Sequence, residues 1–118
     1  MSQPSTGPMT GLKVLEISHP MIAYAGKLFA DMGADVVTIE PPAGSPLRQA
    51  EPFYEDQRDP ERSLSWWHYN TSKRGIVLDL ESDEGRSEFL RLAAKADIVL
   101  ESERPGSLAE RAIDYENV

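Results

Sequence analysis

Two adjacent cations at residues 73 and 74 are the side chains of this sequence best suited to bind an anion. Lys73 and Arg74 follow Asn70, Thr71 and Ser72, so two positive charges and several hydrogen-bonding groups share one short turn. Lysine offers a point charge and arginine a forked pair of donors, and both suit a phosphate. Lys-Arg pairs also occur in solvated turns, and the residues alone leave that alternative open.

Other residues with catalytic side chains lack the partners that their chemistry requires. His19 follows a predicted strand and could act as a general base, but a hydrogen-bonded histidine in a turn is the preferred interpretation. His68 lies 49 positions further on, which is not the spacing of a metal site. Ser18 has no Gly-x-Ser-x-Gly motif around it. We therefore predict no catalytic residue and no metal ligand in this chain.

Glu40 ends a predicted strand, at a position where an acidic residue often binds a ribose hydroxyl of a dinucleotide. The preceding turn, residues 18–26, lacks the Gly-x-Gly-x-x-Gly pattern that lets the backbone approach a pyrophosphate. Nicotinamide and flavin binding are therefore not expected.

The predicted elements that position these residues follow the order of an open α/β fold. Strand, helix and strand within thirty residues form a βαβ unit, whose crossover implies parallel strands. The architecture we predict is Rossmann-like, an open and mainly parallel sheet with flanking helices, in which ligands bind at the carboxyl ends of the strands. Strands are predicted at 13–18, 35–40, 76–80 and 97–101, and helices at 23–32 and 82–93.

Two regions interrupt this pattern. Residues 1–11, which are rich in Pro, Gly, Ser and Thr, are expected to form a flexible N-terminal tail. Residues 41–65 contain five prolines and are expected to form a long loop. The aromatic residues Trp66, Trp67 and Tyr69 follow it, and we expect them to pack on the core as a lid or corner rather than to hold a ligand.

Composition restricts the class of protein further. The chain has 118 residues, 40% hydrophobic and 27% charged, which is typical of one globular domain. No apolar run approaches the roughly 20 residues of a membrane helix, and a net charge of −8 argues against a nucleic-acid partner. Without cysteine, disulfides and thiol catalysis are excluded within these residues. A cytoplasmic location is the expectation.

Four motifs then occur in a characteristic order. They comprise residues 12–18 with 25–26 and 29–42, residues 44–48, residues 70–80, and residues 96–101 with 104–106. Over about residues 11–118 the sequence resembles the N-terminal part of the family III CoA-transferases, a group that includes the α-methylacyl-CoA racemases. The resemblance implies that residues 12–118 are the N-terminal portion of a larger CoA-transferase fold.

The resemblance also implies a site for coenzyme A or an acyl-CoA substrate, without a metal. Residues 21–22 match a stretch that approaches CoA, and residues 70–73 match a CoA-contacting segment. Lys73 or Arg74 is expected to point toward a cleft at the carboxyl edge of the sheet. The candidate CoA-binding residues are Met21, Ile22, Asn70, Thr71, Ser72, Lys73, Arg74 and Arg104.

The activity implied by the resemblance is CoA transfer between carboxylic acids through an aspartate beyond residue 118. By itself this chain is expected to be inactive, with a homodimer of the full-length protein or a complementary chain completing the enzyme. Two alternatives are a racemase-type isomerase and a non-catalytic or split-enzyme module. The aspartates expected in structural positions are Asp31, Asp35, Asp79 and Asp97.

Several residues depart from the family pattern. Ser102 replaces an asparagine, Glu103 an aromatic residue and Glu110 an arginine, although Arg111 is adjacent. The added acids oppose an anionic ligand and favour the non-catalytic module, whereas the intact segment 70–74 favours the transferase and the racemase. Residues 115–118 are expected to open a further element of a longer chain.

Overall fold

Four parallel strands form the single sheet of the computed structural model, which describes residues 7–114 and residue 116. Their order in the sheet is β3-β2-β1-β4, and every neighbouring pair is parallel. The predicted open α/β architecture is therefore confirmed. The strands are β1 (Lys13–Ile17), β2 (Asp35–Glu40), β3 (Arg74–Val77) and β4 (Ile98–Leu100).

Helices cover both faces of this sheet. Because side chains alternate along a strand, Leu15 and Ile17 of β1 pack with Phe89 on one face, while Val14 packs with Ala30 on the other. β1 is thus buried on both faces, as is usual for a central parallel strand. The helices are α1 (Ala23–Asp31), α2 (Leu64–Tyr69), α3 (Asp83–Ala93) and α4 (Ser107–Glu110).

Local sequence signals explain where two of these helices begin and end. The Ser82 side chain caps α3 by accepting the N–H of Gly85 at 3.0 Å, and Asp83 lies in the first turn, next to the positive end of the helix. Gly33, at φ 103°, follows α1 in the left-handed conformation typical of a helix end. Both signals were predicted from the sequence.

Several element boundaries differ from the prediction. β3 covers residues 74–77 rather than 76–80: it begins earlier, where Arg74 pairs with Val37 of β2, and it ends before the turn in which the Asp79 carboxylate accepts the Glu81 N–H at 3.0 Å. β4 has only three residues. The loop at 41–65 includes two 3₁₀ turns, Pro46–Gln49 and Tyr54–Asp56, and the aromatic cluster after it belongs to the short helix α2.

The two ends of the chain were predicted to form a tail and a further element. Residues 7–11 form a turn held to the end of α1, since the Met9 N–H donates to the Met32 carbonyl at 2.9 Å. Residues 1–6 of the expected tail lie outside the described residues, as does most of the element expected at 115–118.

Gly85 provides a test of how closely α3 approaches the end of β3. A Cβ at this position would lie 1.9 Å from the Asp79 carbonyl oxygen. We expect Gly85→Ala to lower the free energy of unfolding by about 1–3 kcal/mol in urea titrations, because backbone must move to relieve the clash. Ser87→Ala, at an exposed position of the same helix, is the control and should change it by less than about 0.5 kcal/mol. A stabilising Gly85→Ala would contradict this packing.

Candidate functional site

A cavity of about 200 Å³ opens where the strands reach their carboxyl ends. This is the edge at which open α/β sheets bind ligands. Ile17, Ile39, Leu78 and Leu80 give it an apolar floor. The remaining lining residues are Ser18, His19, Pro41, Pro46, Asp79, Glu81, Glu103 and Arg111.

Arg111 supplies a positive charge to this cavity and joins two of its loops. Its guanidinium lies 2.5 Å from a Glu81 carboxylate oxygen and 3.1 Å from one of Glu103. Glu103, which the sequence presented as an unfavourable acid, is thus paired. In the sequence, the only signal for Arg111 is that it follows Glu110, where the family pattern has an arginine.

His19 shapes the turn at residues 18–22, which we name the edge turn. Its Nδ1 accepts the N–H of Met21 at 3.1 Å, and its carbonyl accepts the N–H groups of Ile22 and Ala23. The predicted hydrogen-bonded turn histidine is therefore confirmed. Because Nδ1 is an acceptor here, a neutral His19 carries its proton on Nε2, the nitrogen still able to bond a ligand.

Ser18 and Glu40 are both used inside the fold. Ser18 donates through Oγ to Ser45 Oγ at 2.8 Å and is buried. The two Glu40 oxygens accept from Arg48 at 2.6 and 2.8 Å, and one also accepts the Ser45 N–H at 2.9 Å. The hydrogen-bonding groups of both side chains are thus engaged by neighbouring residues of the fold.

Arg48 links the long loop to the sheet edge. Its guanidinium lies 3.9 Å from the ring centroid of Trp66 while it pairs with Glu40. The Arg48 hydrogen bond lowers the pKa of Glu40 below its ordinary value of 4.5, although burial opposes the change. The pair therefore fixes residues 41–65, a loop that the sequence showed only as irregular.

Lys73 points into the interior of the fold, between β1 and α1. Its side chain is 1% exposed, and Nζ lies 2.9 Å from Oε1 of Glu16, itself fully buried. Nζ also donates to the Ala23 carbonyl and to Asn70 Oδ1, each at 3.0 Å. Burial lowers the pKa of Lys73, and the hydrogen bond to Glu16 opposes this.

Glu16 is the functional residue that sequence reasoning missed. A glutamate within the buried run of β1 was its only signal. Gly26 of α1 lies directly above it, and a Cβ there would be 1.8 Å from Oε1. The missing side chain of Gly26 makes room for a buried carboxylate, and that carboxylate draws Lys73 inward.

The other candidate CoA-binding residues are dispersed. Arg74 makes a bidentate pair with Asp35 at 2.8 and 2.9 Å on the amino-end side of the sheet. Arg104 is exposed in the loop after β4, and β4 and β3 are the two opposite edge strands of the sheet. The structure therefore does not gather Arg104 with Lys73 and Arg74.

Two candidate residues, Met21 and Ile22, lie on the edge turn at the carboxyl edge of the sheet. Met21 is 78% exposed and Ile22 is half-buried, next to the Ala23 carbonyl that Lys73 binds.

The remaining candidates lie in the turn before β3. Thr71 Oγ1 accepts from Lys27 Nζ at 3.0 Å, and Ser72 adopts a positive φ of 65°. Asn70, Lys73 and Arg74 also line a second cavity, of about 390 Å³, with Arg48 and Trp66.

The four aspartates that were expected in structural positions make local contacts. Asp31 pairs with Lys27 at 3.0 Å, and Asp97 accepts the Lys13 N–H at 2.9 Å. The other two are Asp35, held by Arg74, and Asp79, whose turn lines the 200 Å³ cavity.

Metal-binding clusters and membrane-spanning helices are both absent from residues 7–114 and 116. Within them, no group of three or more His, Cys, Asp or Glu side chains is placed to hold a metal ion. No helix among them has the length and hydropathy needed to cross a membrane.

The sequence matches a known protein family over almost its whole length. The family is CoA-transferase family III, and its sequence model matches residues 9–118 of this chain. The succinyl-CoA:(R)-benzylsuccinate CoA-transferase subunit BbsE of Thauera aromatica is 40% identical over 106 residues, covering 90% of this chain and 26% of the relative. The cinnamoyl-CoA:phenyllactate CoA-transferase of Clostridium sporogenes is 36% identical over 115 residues, which cover 97% of this chain and 28% of that relative.

A solved structure agrees with these sequence relatives. The crystal structure of a CAIB/BAIF family protein from Brucella suis superposes with a TM-score of 0.83 at 35% identity. The match covers 96% of this chain and 30% of that protein. This chain thus spans between a quarter and a third of the length of the relatives it matches.

The Glu40–Arg48 pair predicts an acid-dependent stability. A carboxyl whose pKa is lowered by folding stabilises fully above its ordinary value of 4.5, and this stabilisation is lost as pH falls through the folded-state pKa. Glu40→Gln should cost about 1–3 kcal/mol in urea unfolding at pH 7. The difference from the wild type should shrink below about pH 4.5.

The control for this pH series is Glu55→Gln, at an exposed carboxylate in the same loop. We expect it to change stability by less than about 0.5 kcal/mol at every pH tested. If the effect of Glu40→Gln remained constant down to pH 3, the stabilising role of the ionised Glu40 would be refuted.

Proposed function

Because this chain belongs to CoA-transferase family III, we propose that it forms part of the site at which such an enzyme binds the coenzyme A moiety of an acyl-CoA thioester. The observation that carries the proposal is the cavity at the carboxyl edge, with its apolar floor and the guanidinium of Arg111 at its rim. An apolar pocket with a few convergent polar groups is the usual form of a small-molecule site.

The size of the cavity sets the share of the ligand that this chain would hold. Pockets for drug-sized ligands measure about 300–1,000 Å³, and this cavity measures about 200 Å³. It would therefore form one wall of a CoA cleft. The remaining contacts would come from chain beyond residue 118, since the relatives are three to four times longer.

We assign separate roles to the residues of that wall. Met21 and Ile22 would contact the ligand directly, because they lie on the edge turn beside His19. Arg111 would attract a CoA phosphate if it exchanged one of its two carboxylate partners for it, because charge-assisted bonds from a guanidinium suit phosphate. The segment 70–73 would support the edge turn from behind, and Arg104 would extend the surface past β4.

The reaction proposed for the full-length protein is CoA transfer between two carboxylic acids. A downstream aspartate would attack the thioester carbonyl, the C–S bond would break, and the CoA thiolate would leave as a mixed anhydride forms. The thiolate would then attack the aspartyl carbonyl of the anhydride, releasing the first acid and leaving an aspartyl-CoA thioester. The second carboxylate would attack that thioester to form a new mixed anhydride, and the returning thiolate would release it as the second acyl-CoA and regenerate the aspartate. Residues of this chain would bind and orient the CoA throughout these steps.

A second candidate is a module that acts only with a partner chain. One observation favours it: the BbsE relative is named as a subunit of its enzyme. The added acids Glu103 and Glu110 fit this alternative, because negative charge weakens the field that an anionic ligand would meet. A racemase-type isomerase would use the same CoA wall with different downstream residues.

The cellular setting proposed with this function is the cytoplasm, and the assembly is a homodimer of the full-length protein. Acyl-CoA thioesters are the substrates, and coenzyme A is a substrate moiety rather than a resident cofactor. Neither a nucleic acid nor a membrane is proposed as a partner.

The proposed function predicts that this chain alone is catalytically inactive. The purified 118-residue chain should transfer no CoA from succinyl-CoA to a carboxylate acceptor, because the nucleophilic aspartate is proposed to lie beyond residue 118, and Asp31, Asp35, Asp79 and Asp97 make structural contacts. Product thioesters would be quantified by mass spectrometry over hours, with a full-length relative as the positive control. Turnover that is lost on Asp79→Asn would refute the assignment of the nucleophile to downstream chain.

The proposed function also predicts that removing negative charge beside Arg111 strengthens CoA binding. Glu103→Gln should strengthen CoA binding to the chain about three- to tenfold in calorimetric titrations, because it removes a negative charge and releases Arg111. The matched control is Glu88→Gln, whose carboxylate pairs with Arg91 on the exposed side of α3. Weaker binding by Glu103→Gln would place the CoA phosphates elsewhere.

A further inference from the structure

We propose that Lys73 is a positioning residue that holds the edge turn, residues 18–22, in its ligand-binding shape, and that it is not a phosphate-binding cation. This proposal rests on the proposed function, because it concerns the same carboxyl-edge site. It assigns to a single ammonium group the link between three elements of the fold, namely β1, α1 and the turn before β3.

All three donors of the Lys73 ammonium group are engaged within the fold, although Lys73 lines the 390 Å³ cavity. An ammonium has three N–H donors. Nζ is shared among Glu16 on β1, the Ala23 carbonyl on α1 and Asn70 Oδ1 in the turn before β3, at 2.9–3.1 Å. Its side chain is 1% exposed. A phosphate could bind it only if one of these elements moved away.

Glu16 fixes the position of the Lys73 ammonium group. Its carboxylate is fully buried, and Oε2 also accepts the hydroxyl of Thr38 on β2 at 2.9 Å. A buried carboxylate requires a positive partner, since an unpaired charge in the interior is strongly unfavourable. Lys73 is therefore held at one point above the sheet, and the backbone groups that it binds are held with it.

The path from Lys73 to the ligand edge is short. Lys73 binds the carbonyl of Ala23, whose own N–H donates to the His19 carbonyl at 3.1 Å. The N–H of Ile22 donates to the same carbonyl, also at 3.1 Å. Without the ammonium, the first turn of α1 would lose its link to the sheet and the edge turn could open with it.

The turn that delivers Lys73 carries strain. Ser72 adopts φ 65°, a conformation that non-glycine residues rarely take. Asn70 holds this turn from both sides, because its Nδ2 donates to the Trp66 carbonyl at 3.0 Å while its Oδ1 accepts from Lys73. The match of residues 70–73 to the family pattern is then explained by the position of Lys73, without a CoA contact.

Amide hydrogen exchange on the 118-residue chain tests the link without any ligand. The variants are Lys73→Met and the double variant Glu16→Gln/Lys73→Met, which leaves no buried charge and so preserves the fold if the single variant unfolds. We expect the amides of Ile22, Ala23 and Gly26 to exchange at least about tenfold faster, while those of α3 are unchanged.

Lys95→Met is the matched control, because it removes an exposed lysine of the same length far from the edge turn. It should leave exchange at residues 22–26 as in the wild type. Unchanged exchange there in the double variant would overturn the proposal, and so would an equal acceleration over the whole chain relative to the control.

Binding of coenzyme A and of pantetheine, which lacks the phosphates, distinguishes positioning from phosphate contact. A positioning role predicts that the double variant weakens both ligands by the same factor, about tenfold. A loss confined to coenzyme A would place Lys73 against the phosphate-bearing nucleotide part of the ligand and overturn the proposal, as would unchanged affinity for both. If the wild-type chain bound neither ligand, the proposed function would fail for this chain, and the exchange result would still decide the role of Lys73.

Discussion

The buried ion pair between Glu16 and Lys73 is the constraint on which the rest of the site depends. A carboxylate with no exposure, placed in the central strand, is compatible with folding only when a cation and hydrogen-bond donors surround it. Thr38 and Lys73 meet that need, and Gly26 leaves the space. Together they hold the first turn of α1 to the sheet, directly after the end of the edge turn.

The arginines considered for ligand binding are already paired with carboxylates of the same chain. Arg48 is paired with Glu40, Arg74 with Asp35, and Arg111 with two glutamates. In a chain of net charge −8, an anionic ligand would therefore compete with carboxylates for each of these groups. Arg111 is the best placed for such an exchange, because it lies at the cavity rim and one of its partners, Glu81, is 70% exposed.

The extent to which the fold could be predicted follows from how local its signals are. The βαβ order, the Ser82 cap and the left-handed Gly33 are encoded by neighbouring residues, so the sequence located them correctly. The boundaries of β3 depend on pairing with β2, which lies more than thirty residues away, and were misplaced. The short helix α2 was missed because prolines and charges dominate the segment before it.

What the sequence by itself determined is the parallel α/β architecture, the family and the segments from which a site could be built. Only the tertiary structure decided which way those side chains point. Lys73 and Arg74 are adjacent in the chain, yet one enters the interior and the other pairs with Asp35 at the surface. Glu16 sets that difference from 57 positions away. The reason is physical: an ammonium goes where a buried carboxylate is otherwise unpaired, and that place exists only once α1 has packed over β1.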